Sequence, residues 1–93
     1  MSQSAFTEID AIRDDKSGIV IVITAREKSN GFRAYSFAVF KEFERSTGGP
    51  TQRTAYLNPH HIEALQGLLP KVDARIRQEE ERVHAERRQA RRA

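Results

Sequence analysis

Residues 18–26 read Gly-Ile-Val-Ile-Val-Ile-Thr-Ala-Arg, a nearly unbroken β-branched run with neither a helix cap nor a proline. Side chains branched at Cβ lose rotamer freedom on a helix and pack well on a pleated surface, so this stretch predicts a strand. The reading extends in both directions from it. Downstream, Glu27-Lys28-Ser29-Asn30-Gly31 is a polar break, and Asn-Gly is a strong hairpin signal. Residues 32–45 (FRAYSFAVFKEFER) alternate aromatic with small or charged residues and predict a long second strand. A Gly-rich loop, Ser46-Thr47-Gly48-Gly49-Pro50, then leads to a shorter strand over Thr51 to Leu57. Upstream, Phe6, Ile9 and Ile12 are spaced by three, as on a helical turn. Phe6 to Arg13 also has the length of a strand, and a three-stranded sheet is small for this β-branched content, so an added edge strand is expected.

Asn58-Pro59 changes the pattern. Asn is a preferred N-cap and Pro suits the first helical position, so a helix is expected to start there. Ile62, Leu65, Leu69, Val72, Ile76 and Val83 fall on one stripe, with 62, 69, 76 and 83 seven apart, and this marks the expected buried side. Pro70 lacks an N–H and crowds the carbonyl of Gln66, so a kink is expected at 66–70. Beyond Gln78 the chain is charged and Ala-rich, with little to bury, and fraying is expected toward the end. The expected fold class is α+β: an antiparallel, curved, four-stranded sheet followed by one long C-terminal helix. Residues 1–80 would form one domain and residues 81–93 a basic tail, helical or frayed.

The 93 residues are 38% hydrophobic and 31% charged, with no cysteine. A domain this small buries little more than about 60% of its unfolded surface, which makes dimerisation a reasonable completion of the core. The stripe Ile62, Leu65, Leu69, Val72 and Ile76 is the expected dimer interface. The lack of cysteine removes disulfides, thiolate metal sites and cysteine nucleophiles together, and suits a reducing cytoplasm. No apolar run approaches the roughly 20 residues of a membrane span, and Met1 to Phe6 has no signal-peptide character, so neither membrane insertion nor secretion is expected. Residues 1–25 carry a net charge of −2, residues 26–53 +3, residues 54–81 −2 and residues 82–93 +4. Basicity confined to a central segment and the extreme C-terminus suggests a polyanionic partner.

Strand alternation places Tyr35, Phe37 and Val39 on a core face with Ile19, Ile21 and Ile23, and with Ala55 and Leu57 on the last strand. Val20, Val22, Arg26, Lys28 and Phe40 then face outward, as do Gln52, Thr54 and Tyr56. Rings at Phe40 and Tyr56 with nearby cations suit single-stranded nucleic acid, because bases stack on rings without sequence readout while cations track phosphates. An ordinary solvated sheet face has the same composition. His60, His61 and His84 lack the spacing of a metal set and are expected on the helix surface. The Gly48-Gly49 loop has no following Lys-Ser/Thr, no nucleophile elbow is present, and Asp14-Asp15 and Glu79-Glu80-Glu81 read as solvated runs. No enzyme activity, metal, cofactor or small-molecule substrate is expected.

From about Gly18 to Ile76, the order is strand, hairpin, long strand ending in Lys41-Glu42-Phe43, Gly-rich loop, strand with Arg53, then Leu57-Asn58-Pro59 opening a helix. This resembles the single-stranded-DNA-binding domain of the transcriptional coactivator positive cofactor four and, more loosely, PUR-type repeats. The resemblance implies a dimer gripping single strands or melted duplex with a curved sheet, in transcription regulation or genome maintenance. Carried over by position, Arg26 and Lys28 match basic residues at the first hairpin, Phe43 an aromatic, and Arg53 a basic residue of the last strand. Where the family commonly has a basic side chain this chain has Phe40, which implies stacking there. The expected nucleic-acid-binding set is Arg26, Lys28, Arg33, Phe40, Lys41, Phe43, Arg45, Arg53 and Tyr56, with single-stranded DNA or RNA as partner in the cytoplasm or nucleoid. The alternative is a protein-interaction adaptor that docks a partner through the sheet face or the long helix.

Overall fold

A computed structural model describes residues 6–28, 32–44 and 46–92, with residues 91 and 92 described by backbone alone. Four strands, β1 (Thr7–Asp14), β2 (Ile19–Glu27), β3 (Arg33–Glu44) and β4 (Thr51–Thr54), form an open antiparallel sheet in the order β1-β2-β3-β4. A single turn of 3₁₀ helix, Pro59–His61, leads into α1 (Ile62–Arg92). The first segment is the edge strand the sequence suggested, and the α+β class with one C-terminal helix holds. Asn30-Gly31 lies outside the described residues, but β2 and β3 pair without interruption from Ile19↔Lys41 to Glu27↔Arg33.

β2 is central, which explains its composition: Ile19, Ile21 and Ile23 turn to the helix side and are fully buried against Leu68 and Val72. Ile9, Ile12, Val39, Leu57, Leu65 and Ile76 close around this cluster. Burying each such side chain contributes about 1.5–3 kcal/mol before the entropy of ordering is subtracted. The turn into β2 depends on Gly18. Its φ is +78°, its N–H donates to the Asp14 carbonyl, and a Cβ there would lie 3.1 Å from the Glu42 carbonyl oxygen. Asp14 is therefore no mere solvated acid. Its carboxylate accepts from the Ser17 N–H and hydroxyl, and these bonds lower its pKa.

The helix meets its sequence reading at three points. First, it runs through Pro70 as one element and is helical to Arg92, so of the two forms expected for the basic tail it takes the helical one. A 31-residue helix is about 46 Å long, well beyond the roughly 30 Å of β2, yet the overhang is tied back where the Arg87 guanidinium sits 5.7 Å over the Phe32 ring. Second, the side buried by the sheet carries His61, Leu68, Val72 and Glu79, while Ile62 is 53% and Leu69 40% exposed. The expected stripe is split: Leu65, Val72 and Ile76, placed in a dimer interface by the sequence, pack on this chain's own sheet, while Ile62 and Leu69 stand off it because α1 packs mainly on β1 and β2. The helix-facing side of β3 is left open at Phe37, which is 51% exposed.

Third, Glu79 was expected in solvent and is instead buried. Its carboxylate receives Arg33 from β3 at 3.1 Å, Arg75 at 3.4 Å and Arg82 at 2.5 Å, and Arg75 also reaches Asp10 of β1 at 3.0 Å. This network joins α1 to both flanks of β2. The Arg82 hydrogen bond foremost, with Arg75 and Arg33, overrides the opposing effect of burial and holds Glu79 down to about 2.

His61 is likewise no surface histidine. It is 3% exposed, and its Nδ1 accepts the Asn58 N–H at 3.1 Å, while its backbone N–H donates to the Asn58 carbonyl at 2.9 Å. An imidazole that accepts at Nδ1 must be neutral. Burial, then the positive fields of His60 and Lys41, lowers its pKa. Asp14, Lys16, Ser17 and Glu63 line the same hollow. Because the folded value lies below the unfolded one, near 6.5, this contribution to stability is complete above that pH and is lost as pH falls through the lowered folded value. We expect melting temperature to decline on mild acidification below about pH 6.5 and His61→Phe to flatten that decline. Parallel pH–melting curves for wild type and His61→Phe would contradict the assignment.

Candidate nucleic-acid interface

The sheet face away from α1 is built in cross-strand rows fixed by register. Glu8, Thr24 and Ser36 form one row, Ala11, Val22 and Ala38 the next, and Arg13, Val20 and Phe40 a third. Glu42 and Arg53 pair beyond these on β3 and β4. Val20 and Val22 are buried although no helix covers this side, because their row neighbours close over them. The middle of the face is thus a floor of small residues, with Ser36 and Ala38 exposed.

Each end of the floor carries a cation over a ring. At one end the Arg26 guanidinium lies 5.3 Å from the Phe6 ring centroid, and at the other Arg53 lies 5.4 Å from that of Phe40. From Ala34, opposite Arg26, to Phe40 is six residues of β3, or about 20 Å. Next to Phe40, one carboxylate is shared by two arginines. Arg13 Nε and Nη2 stand 3.4 Å from the two Glu42 oxygens, and Arg53 Nε and Nη2 each stand 3.1 Å from Oε2. The Arg13 hydrogen bonds, followed by those of Arg53, lower the Glu42 pKa against the opposing effect of partial burial.

The fold divides the residues singled out from the sequence. Arg26, Phe40 and Arg53 share the outer face. Arg33 turns to the helix side and is occupied by Glu79. Lys41 pairs across to Ile19 and Phe43 to Gln52, so both also lie on the helix side. Lys28 follows the end of β2 and is exposed, and Arg45 lies outside the described residues. Tyr56 is 89% exposed in the link after β4 and is not part of the sheet.

The expected outward positions of Gln52 and Thr54 are corrected: they pair with Phe43 and Lys41 and share the helix side, while Arg53 points outward. Alternation was counted back from Leu57, which does reach the core, but β4 ends at Thr54 and a bend at Ala55 resets the phase. Arg13, Phe6 and Glu42 were missed as site residues. Contact between Arg13 and Glu42 spans 29 positions and leaves no local signal, whereas Phe6 directly precedes β1, whose Thr7 pairs with Ala25, so a register could have brought it to Arg26.

No protein-family model matches this chain, and neither the curated proteins nor the solved structures give a match. Among the described residues, no three His, Asp or Glu side chains converge as a metal set, and no helix is long and apolar enough to cross a membrane.

Proposed function

We propose that this chain is a non-enzymatic, homodimeric single-stranded nucleic-acid-binding protein that receives DNA or RNA on the outer sheet face. The observation that carries this reading is the floor of small residues bounded at both ends by a guanidinium over an aromatic ring. A strand laid along it can stack bases at Phe40 and Phe6 while Arg26, Arg53 and Arg13 meet phosphates. The resemblance to positive cofactor four points to the same activity, in transcription regulation or genome maintenance within the cytoplasm or nucleoid. Dimerisation is supported by the apolar surface on the opposite side: Ile62, Leu69 and Phe37 are too exposed for a finished core, and Ile62 and Leu69 stand seven residues apart, the spacing of a helix seam. The basic tail adds charge without register.

Fluorescence anisotropy with labelled oligonucleotides tests the face residue by residue. Phe40 covers Val20, so Phe40→Ala confounds binding with packing. Tyr56 is almost wholly exposed, so Tyr56→Ala should leave melting temperature unchanged and, if Tyr56 stacks a base, cost about 1–3 kcal/mol of binding. Arg26→Gln and Arg53→Gln should each weaken binding and flatten its salt dependence by roughly one phosphate contact. If both arginine variants bind as wild type does, the outer face is not the binding surface.

A further inference from the structure

Arg13 and Arg53 come from opposite edges of the sheet, β1 and β4, and both turn their Nε and Nη2 groups onto the same carboxylate. Two guanidinium forks closing on one anion form a more specific arrangement than a scatter of surface cations, because the forked donors match anionic oxygens in pairs. We propose that Arg13 and Arg53 form a phosphate subsite for the nucleic-acid backbone, occupied in the free chain by the Glu42 carboxylate. This rests on the nucleic-acid reading above and assigns a place within it.

Three observations favour exchange over a permanent structural pair. The arginine side chains are 51% and 42% exposed, so water already competes for them and the pairing is weak. The Arg13 contacts, at 3.4 Å, are longer than ordinary charge-assisted hydrogen bonds, so the carboxylate fits the pair loosely. The cluster keeps one excess positive charge with Glu42 in place, and a phosphate drawn by it can displace the carboxylate into solvent without moving backbone. Arg53 also lies over the Phe40 ring. A base stacked at this end of the face therefore brings its own phosphate beside the cluster, where Arg53 is already held over the ring. Glu42 thus keeps both guanidinium groups in position while lowering affinity for strands too weak to displace it.

The test is Glu42→Gln, assayed with labelled oligothymidylate over a salt series. The amide retains shape and some hydrogen bonding but loses the charge, so affinity should rise roughly three- to tenfold and the salt dependence should steepen by about one phosphate contact. The same substitution in an Arg13→Gln/Arg53→Gln background should bring no gain, because nothing remains for Glu42 to occupy. Arg13→Gln alone should weaken binding roughly threefold or more, which keeps the subsite open to test if Glu42→Gln melts early. An equal gain with and without the two arginines would reduce Glu42 to a general charge effect and overturn the subsite. A wild type that binds, with Glu42→Gln and Arg13→Gln indifferent, overturns the subsite and spares the parent reading. A wild type without salt-dependent oligonucleotide binding overturns both.

Discussion

Replacing Glu79 by alanine is expected to cost about 2–3 kcal/mol and to lower the melting temperature by roughly 10–20 °C. The side chain is only 6% exposed and is the common partner of Arg33, Arg75 and Arg82. Removing it takes the common partner from three guanidinium groups, of which Arg33 and Arg75 are each about three-quarters buried, while Arg75 keeps Asp10 and Arg82 keeps Glu86. The figure stands below the roughly 3–5 kcal/mol of a fully buried broken pair because Arg82 is half exposed and solvent screens it. The same network sets an acid limb. Glu79 titrates at about 2 when folded and near 4.5 when unfolded, so its contribution is complete above that higher value and is lost as pH falls toward the lower one. Thermal melts across this range should show a steep acid decline in wild type and a shallower one in Glu79→Gln. Equal melting temperatures at neutral pH for wild type and Glu79→Ala would show that the network does not fasten α1 to the sheet.

Val72→Glu and Leu69→Glu are expected to fail in different ways, though only three positions apart on α1. Val72 is 2% exposed against Ile19, Ile21 and Ile23, so a carboxylate there has neither water nor partner, a cost of several kcal/mol that a small domain does not survive. Leu69 is 40% exposed, so its charged variant should fold with a melting temperature near wild type. If the exposed flank of α1 is the dimer seam, that variant should sediment as a monomer while wild type sediments as a dimer. A concentration-independent wild-type monomer would remove the dimer from the account, and a folded Val72→Glu would contradict the core.

The strands were legible because their composition repeats along the chain: a central strand buried on both faces shows as an unbroken β-branched run, and 18–26 is one. The helix start was legible at Asn58-Pro59 for the same local reason. Which side of the helix the sheet covers was not. Apolar spacing selected Leu65, Val72 and Ile76, which the sheet covers, together with Ile62 and Leu69, which it leaves exposed, and passed over two buried polar residues, His61 and Glu79, whose burial depends on an Asn58 N–H and on arginines from another strand and neighbouring turns. Such partners are set by the tertiary fold and leave no periodicity. The outer face was half legible. Arg26, Phe40 and Arg53 followed from alternation and resemblance, but Arg33, Lys41 and Phe43 fell on the helix side, where the alternation that put Tyr35, Phe37 and Val39 on the core face already places them; charge and resemblance had selected them against that phase. Arg13 was passed over as one charge among many, and only the register that puts it beside Val20 and Phe40 gives it a role.

The central claim is that the outer face takes single strands. Its most direct test is the anisotropy of labelled single-stranded and double-stranded oligonucleotides of equal length and composition, titrated with the wild-type chain at several salt concentrations. The account predicts tighter binding to the single strand at every salt concentration, with affinity falling steeply and linearly on logarithmic axes as salt rises. Equal affinity for the two forms would leave only polyanion attraction, and absence of binding at low salt would contradict the account outright.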